Sequence, residues 1–159
     1  LFIMIKVMIN NKAFFTKSIA LLKPLNKDQE PQWGSMTPQH MVEHLVGSWR
    51  ISNGRARVPQ MLADGDVQTR REFIFSDKPY ARNISNPTAK IQGNAPLRKE
   101  SLSAAIDQLE DEMNAFFDFH DSNPNAVEMH PVFGSLDANG WLIFQTKHMT
   151  HHLTQFGLL

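Results

Sequence analysis

The chain has 159 residues, of which 42% are apolar, and its 16 basic residues are balanced by 16 acidic ones. This length and composition suit one packed domain, so we predict a single domain over residues 1–159. The balanced charge provides no basic surface for nucleic acid or an anionic membrane, which leaves a small molecule or a protein as the partner. Because the sequence contains no cysteine, disulfides, a thiolate nucleophile and Cys-ligated metal sites are excluded, and any metal must bind nitrogen or oxygen.

The beginning of the chain is apolar but does not have the form of a targeting signal. Leu1 to Ile9 is short, is interrupted by Lys6, and lacks a basic start and a small-residue cleavage pattern. We interpret residues 1–10 as a packed or frayed leader of a cytoplasmic protein. The apolar residues of the next stretch, Asn11 to Leu25, predict a short first helix stopped by Pro24. No apolar run is long enough to span a bilayer.

The second predicted helix has clear start and stop signals. Thr37 is a good N-cap, Pro38 suits the first helical position, and Gly54 predicts an end after about Ser52. His44 lies at one border of the apolar arc of this helix, beside small residues that leave room in front of the imidazole. This position suits a ligand that faces a cleft between helices, and a partly exposed boundary histidine is the alternative.

Between residues 55 and 98 the helical pattern is lost, because proline or glycine recurs every few residues. We predict a long irregular connection in which Glu72-Phe73-Ile74-Phe75 forms a strand or an extended apolar plug. Such a connection often covers helix ends or lines a pocket. We assign its basic residues to a solvated surface and not to an anion site: Arg55, Arg57, Arg70, Arg71, Arg82, Lys90, Arg98 and Lys99.

The third predicted helix begins at Ser101 and has the cleanest amphipathic pattern in the chain. The apolar residues that repeat at intervals of three and four are Leu102, Ala105, Ile106, Leu109, Met113, Phe116 and Phe117. The acidic residues of the opposite face are predicted to be solvated: Asp107, Glu110, Asp111 and Glu112. A loop is predicted over Asp121 to Pro131, and Asp137 is the predicted N-cap of the last helix.

The last helix carries the strongest chemical signal. At about 100° per residue, His148 and His152 lie about 40° apart on one face. Trp141, Phe144 and Phe156 fall within roughly 80° of His148, so the pair points into apolar surroundings. Two buried imidazoles need a partner, because an unpaired buried polar group costs about 1–3 kcal/mol.

With His44, this pair makes up the three-imidazole set of catalytic metal sites, which leave a position open for water or substrate. Met, Thr and His occupy positions 149 to 151, so the glutamate of HExxH is absent and a zincin-type protease is not predicted. His151 lies about 100° from His152 and is expected to be a neighbour of the ligands or a surface residue. Two alternatives stay open: a four-nitrogen site that adds His40, and a hydrogen-bonded histidine set without metal.

Three stretches of the sequence point to a family when they are taken together. They are Trp33-Gly-Ser-Met-Thr-Pro-Gln-His-Met-Val-Glu-His44-Leu, then His130-Pro-Val-Phe-Gly, and finally Trp141 with Lys147-His148-Met-Thr-His151-His152-Leu-Thr-Gln155-Phe156-Gly157. They resemble the DinB/YfiT-like superfamily, and within it a branch known only as a domain of unknown function. The resemblance covers about residues 13–158.

The resemblance implies an all-α fold, namely an antiparallel four-helix bundle with the irregular connection between helices 2 and 3, and often a homodimer. It implies a divalent metal held by His44, His148 and His152, with zinc as the first expectation and nickel, manganese or iron as alternatives. The implied function is thiol (S-)transfer or hydrolysis on a small molecule, with a low-molecular-weight thiol as a second cofactor. A non-catalytic metal-binding or stress-associated module of the same fold is the alternative. Neither catalytic nor cofactor-binding residues are indicated.

Overall fold

The computed structural model describes residues 2–82 and 95–159, and the side chains of residues 11–82 and 95–159. The described residues form five helices and one two-stranded antiparallel sheet, so the all-α expectation is confirmed in that the chain is mainly helical, but the small sheet and the fifth helix were not predicted. The elements are α1 (Phe2–Leu22), α2 (Pro38–Ser52), α3 (Asp64–Ile74), α4 (Leu102–Ser122), β1 (Val127–His130), β2 (Gly134–Asp137) and α5 (Ala138–Gln155). The predictions that concern Leu1 and residues 83–94, including Lys90, lie outside the described residues.

The ends of α2 follow the local signals in the sequence. Thr37 Oγ1 accepts a hydrogen bond from the backbone N–H of His40 at 3.3 Å, and Pro38 is the first helical residue, so the predicted start is confirmed. The helix ends at Ser52, and Gly54 follows with a φ of +73°, a left-handed conformation that glycine adopts at little cost. By contrast, α1 is longer than predicted, because it begins well before Asn11.

The prediction of an irregular connection over residues 55–98 is wrong in its middle, where α3 runs from Asp64 to Ile74. Residues 72–74 form the last turn of this helix and Phe75 is its C-cap, so the predicted strand or extended plug is also wrong. Only Val67 and Ile74 of α3 are buried. The helix is therefore held by a few tertiary contacts and has no amphipathic stripe that a periodicity argument could detect.

The amphipathic pattern of the third predicted helix is confirmed in α4, where Ser101 Oγ accepts a hydrogen bond from the Ala104 N–H at 3.1 Å. The prediction that Glu112 is solvated is wrong, since its side chain is buried. Its carboxylate accepts hydrogen bonds from Asn53 Nδ2 at 2.7 Å and from Arg55 Nη1 at 3.2 Å. A buried charge is tolerated here because it is paired and hydrogen-bonded at the end of α2.

The predicted loop over Asp121 to Pro131 is also wrong, because α4 extends into it and β1 lies within it. β1 pairs with β2 in an antiparallel hairpin in which His130 lies opposite Gly134. Gly134 has a φ of +71°, which explains a glycine at this turn. Asp137 ends β2 and caps α5, where its Oδ1 accepts a hydrogen bond from the Gly140 N–H at 2.8 Å, as predicted.

The helices pack through large aromatic side chains. α2 packs against α4 and α5, α1 packs against the same two helices, and α3 packs against α5. Trp49 of α2 is fully buried and meets Phe15 of α1 and Phe116 of α4 edge-on, with ring centroids 4.8 and 5.4 Å away. These contacts fix α2, which carries His44, against its neighbours. Among the described helices, none has the length and apolar character that crossing a lipid bilayer requires.

Candidate metal centre

Three imidazole rings meet where α2 packs against α5. His44 comes from α2, whereas His148 and His152 come from successive turns of α5. One nitrogen of each ring lies within 4.8 Å of the other two, and the ring centroids are 4.8 to 5.0 Å apart. The structure therefore brings together the three residues that the sequence predicts as metal ligands, and we refer to them as the histidine centre.

The histidine centre is mostly buried but not closed. His148 and His152 are 8% and 6% exposed, and Phe144, one turn before His148, packs against its ring with centroids 5.1 Å apart. His44 keeps partial exposure, so its predicted position at the border of the apolar arc is confirmed. The centre therefore combines two ligands in apolar surroundings with a third that solvent can reach.

The spacing of the ring nitrogens suits a divalent ion. His44 Nε2 and His148 Nε2 are 2.8 Å apart. Neighbouring nitrogen ligands at about 2.0–2.1 Å from an ion stand about 2.8–3.4 Å from one another in octahedral or tetrahedral geometry, so this pair already has a suitable separation. The widest separation in the set, up to 4.8 Å, would have to shorten by rotation of side chains for all three nitrogens to bind one ion. The donor set is entirely neutral nitrogen.

Hydrogen bonds fix which nitrogen of His152 faces the centre. Gln155 Nε2 donates to the backbone carbonyl of Trp33 at 2.9 Å, which directs the Gln155 Oε1 towards His152 Nδ1 at 2.8 Å. Because an amide oxygen only accepts, Nδ1 of His152 must carry the hydrogen. Nε2 then keeps its lone pair free for a metal, the arrangement in which metal-binding histidines are usually held.

His148 is oriented in a similar way by α2. Its Nδ1 lies 3.4 Å from Ser48 Oγ, which in turn lies 3.0 Å from both the Leu45 carbonyl oxygen and Gln145 Oε1. Both of these neighbours are acceptors, so the serine directs its single O–H towards them and a lone pair of its oxygen accepts from Nδ1–H. The lone pair of His148 Nε2 is then directed at His44, whose Nε2–H donates to it across 2.8 Å. A metal ion would replace this shared hydrogen.

The surroundings keep all three rings neutral at neutral pH. Burial lowers the pKa of His44 to about 4, with smaller contributions from electrostatic repulsion between protonated His44 and His151 or Arg98. Burial and the neighbouring His44 lower the pKa of His152 to about 3, although its hydrogen bond to Gln155 opposes this shift. Burial and the two neighbouring rings also hold the pKa of His148 well below its ordinary value. Neutral imidazoles are the form that binds metal.

The carboxylate next in sequence to His44 does not belong to the centre. Glu43 is buried, and its Oε1 and Oε2 accept hydrogen bonds from the backbone N–H groups of Lys99 and Arg98 at 3.0 and 2.8 Å. Gln39 Nε2 donates to Oε1 at 3.0 Å, and Arg98 Nε donates to Oε2 at 3.3 Å. Burial alone would raise the pKa of Glu43, but these hydrogen bonds outweigh it and lower the pKa. Glu43 therefore anchors the chain before α4 to α2.

Two histidines of α2 and α5, His40 and His151, are not part of the cluster. The Nδ1 of His40 lies 2.7 Å from Thr37 Oγ1, and within residues 2–82 and 95–159 the only group of three potential ligands is His44, His148 and His152. The four-nitrogen alternative with His40 is therefore not formed. His151 is half-buried beside His152, with centroids 5.1 Å apart, which agrees with its expected place as a neighbour of the ligands.

Aromatic residues and one arginine surround His151, and we call them with it the rim cluster: Trp33, Tyr80, Arg82 and His151. The ring of Trp33 lies 5.5 Å from His151, and the ring of Tyr80 lies 5.7 Å from His151 and 6.4 Å from His148. Lys147 holds the segment that carries Tyr80, because its Nζ donates to the carbonyl oxygens of Phe73 and Lys78. Lys147 of α5 therefore helps to position Tyr80.

Sequence reasoning missed most of these supporting residues. Gln155 could have been found, since it lies three residues after His152 on the same helix face. Tyr80 and Arg82 could not, because they belong to a segment without periodicity whose contacts come from distant parts of the chain. Trp33 stands within a recognised stretch, but nothing in the spacing indicates that it reaches His151.

The fold and the site together define a helical chain with a candidate metal centre of three histidines. No protein-family model, curated protein or solved structure matches the chain. The function is therefore argued from the geometry and chemistry of the centre.

Proposed function

We propose that this chain is a divalent-metal-dependent enzyme that transfers a thiol to, or hydrolyses, a small molecule. The observation that carries the proposal is the convergence of His44, His148 and His152, of which His148 and His152 are oriented by separate hydrogen bonds. A structural zinc site fills all four positions with protein ligands, whereas three imidazoles leave positions open, as catalytic sites do.

A divalent ion bound by three neutral imidazoles lowers the pKa of a water or a thiol towards neutrality and so supplies a nucleophile. Residues around the histidine centre orient the ligand rings that would hold the ion. Gln155 and Ser48 keep the Nδ1 hydrogens of His152 and His148 in place, which preserves both Nε2 lone pairs. Phe144 and Tyr80 cover the ring of His148 and limit access of water. His151 is half-buried beside the ligand His152.

The ligand atoms of the histidine centre indicate which metal it would prefer. Imidazole suits zinc, nickel and iron, whereas manganese prefers carboxylate and water oxygen. Since the described ligands are all nitrogen, we propose zinc first, with nickel and iron next and manganese last. A low-molecular-weight thiol is proposed as the second cofactor because a thiolate is a good ligand for zinc at an open position.

We further propose the DinB-like antiparallel four-helix bundle for α1, α2, α4 and α5, which pack against one another in pairs. A homodimer and a cytoplasmic location are proposed with it. The balanced charge supports a small-molecule substrate over nucleic acid or a membrane surface.

One observation favours a second function, a non-catalytic metal-binding or stress-associated module. Within the described residues, the cluster contains no Asp or Glu that could act as a general acid or base, and Glu43 is occupied elsewhere. Such a module would keep the metal and the fold but show no turnover.

The test is metal analysis of protein purified without a nickel column, followed by assays with thiols such as glutathione, bacillithiol or mycothiol and an electrophile. About one zinc per chain with thiol-dependent turnover is the expected result. Bound metal without turnover of any thiol or ester substrate would favour the binding module. A protein that neither retains nor takes up divalent metal would overturn both.

A further inference from the structure

The charge around the histidine centre is unbalanced once an ion binds. All three ligands are neutral imidazoles, so the dication would keep its full charge. The buried carboxylate next in sequence to His44, that of Glu43, already accepts hydrogen bonds from Arg98, Lys99 and Gln39. Because an uncompensated charge in a partly buried site is costly, the centre needs an anion from outside the protein.

A second positive charge, that of Arg82, lies in the rim cluster and has no anionic partner among the described residues. The guanidinium of Arg82 lies over the ring of Trp33, 4.3 Å from its centroid, and Arg82 is exposed. In the part of the chain that the structure describes, Arg82 makes neither an ion pair nor a hydrogen bond. Stacking on an indole holds a guanidinium in place while its N–H fork stays available to a planar anion.

The rim cluster connects Arg82 to the metal ligands without a break. Trp33 contacts His151, and His151 contacts His152, with ring centroids 5.5 and 5.1 Å apart. In addition, the buried indole N–H of Trp33 has no acceptor in the described structure, which leaves a further donor on the ring that Arg82 covers.

We propose that Arg82, stacked on Trp33 at the edge of the histidine centre, binds the carboxylate of an anionic small-molecule substrate whose other end reaches the metal. This inference rests on the proposed metal-dependent function and adds a substrate class to it. Arg82 is exposed, in agreement with its predicted place on a solvated surface, and the proposal adds an anion site there that the sequence did not predict. Arg98, the other arginine whose charge reaches the centre, is unsuitable because its guanidinium is bonded to the carboxylate and the carbonyl oxygen of Glu43.

The experiment uses Co²⁺-loaded full-length protein and thiols of increasing length as probes. Thiolate binding is followed by the sulfur-to-cobalt charge-transfer band. Mercaptoacetate, 4-mercaptobutyrate and 6-mercaptohexanoate are each compared with the alcohol of the same length, so that only the distal carboxylate differs. At the length that spans from the metal to Arg82, we expect the carboxylate to bind on the order of tenfold more tightly than the alcohol.

Arg82→Gln should abolish this preference and leave the binding of the alcohols unchanged, whereas Arg70→Gln, at an exposed arginine of α3, should change neither. A preference that survives in Arg82→Gln would overturn the proposal, as would the absence of any preference in the parent protein, including the case in which no thiol binds. Both outcomes leave the metal site intact and are thus distinguishable from its failure, which would appear as a loss of the Co²⁺ spectrum itself.

Discussion

His44 and His148 lie 104 positions apart in the chain, yet their Nε2 atoms are 2.8 Å apart in the folded protein. Neither ring could hold this position through its own helix alone. Trp49 fixes α2 in the core, and Phe144 packs against the His148 ring on α5. The contact is therefore a product of tertiary packing, and the predictions below test what it supports.

The first prediction concerns the ligands themselves. His148→Ala and His152→Ala should each weaken zinc binding by more than about 100-fold, because each removes a direct ligand. His151→Ala and His40→Ala should largely preserve binding, since neither residue belongs to the cluster. Zinc affinity would be measured by competition with a chromophoric chelator. Equal losses in His148→Ala, His152→Ala and His151→Ala would show that the wrong face of α5 has been assigned to the metal.

The second prediction concerns Gln155, which orients a ligand without touching the ion. Gln155→Leu should lower zinc affinity by about 10- to 100-fold, because the Nδ1 hydrogen of His152 loses its acceptor and the ring loses its preferred tautomer. The matched control is Gln29→Ala, which removes a side-chain hydrogen bond to the carbonyl of Phe156 at the same end of α5. If both variants lose the same affinity, the effect belongs to the helix end and not to His152.

How much of this site the sequence could predict depends on the range of the interactions. The three ligands could be predicted from the sequence. Helix periodicity placed His148 and His152 on one face, and the caps at Thr37 and Asp137 located the starts of the helices that carry the ligands. That His44 meets the other two rings is a long-range contact, which the resemblance implied but periodicity could not show.

The errors have physical causes of the same kind. Glu112 was predicted to be solvated because it lies among other acidic residues in the sequence. Its partners Asn53 and Arg55 lie at the end of another helix, so no local pattern indicates its burial. α3 has no apolar stripe, and the strands of the hairpin have only 4 residues each, too few for alternation to be recognised. The rim cluster was missed because Tyr80 and Arg82 are positioned by contacts with α5 and Trp33.

The third prediction concerns the anchor between α2 and the chain before α4. Glu43→Gln should lower the free energy of unfolding by about 2 kcal/mol and Tm by about 4–8 °C, because charge-assisted hydrogen bonds from Arg98 and Lys99 are weakened. Chemical and thermal denaturation at neutral pH would measure this loss. Glu100→Gln, at an exposed position, is the control and should change little.

The pH dependence of Glu43 gives the same prediction a second readout. Because the folded state lowers the pKa of this carboxyl below its ordinary value of 4.5, its contribution is complete above that pH and is lost as the pH falls through the lower, folded-state pKa. The difference in stability between parent and Glu43→Gln should therefore shrink on acidification. A difference that stays constant to low pH would contradict the assigned role of the charge.

The last prediction concerns His130, a buried histidine outside the histidine centre. Its Nδ1 accepts hydrogen bonds from the backbone N–H groups of Val132 and Phe133 at 3.1 and 3.2 Å, so the ring serves as an acceptor in the hairpin turn. Burial lowers its pKa to about 3. Since an unfolded chain protonates histidine near its ordinary pKa of about 6.5, the contribution of neutral His130 to stability is complete above that pH. It falls between about pH 6.5 and 3, by about 1.4 kcal/mol per pH unit.

His130→Asn offers an amide oxygen close to the position of Nδ1 but cannot titrate. Between pH 7.5 and 5, the parent should therefore lose about 1–2 kcal/mol more than His130→Asn in urea unfolding. Parallel losses in the two proteins would mean that other buried histidines, and not His130, determine the acid sensitivity of the fold.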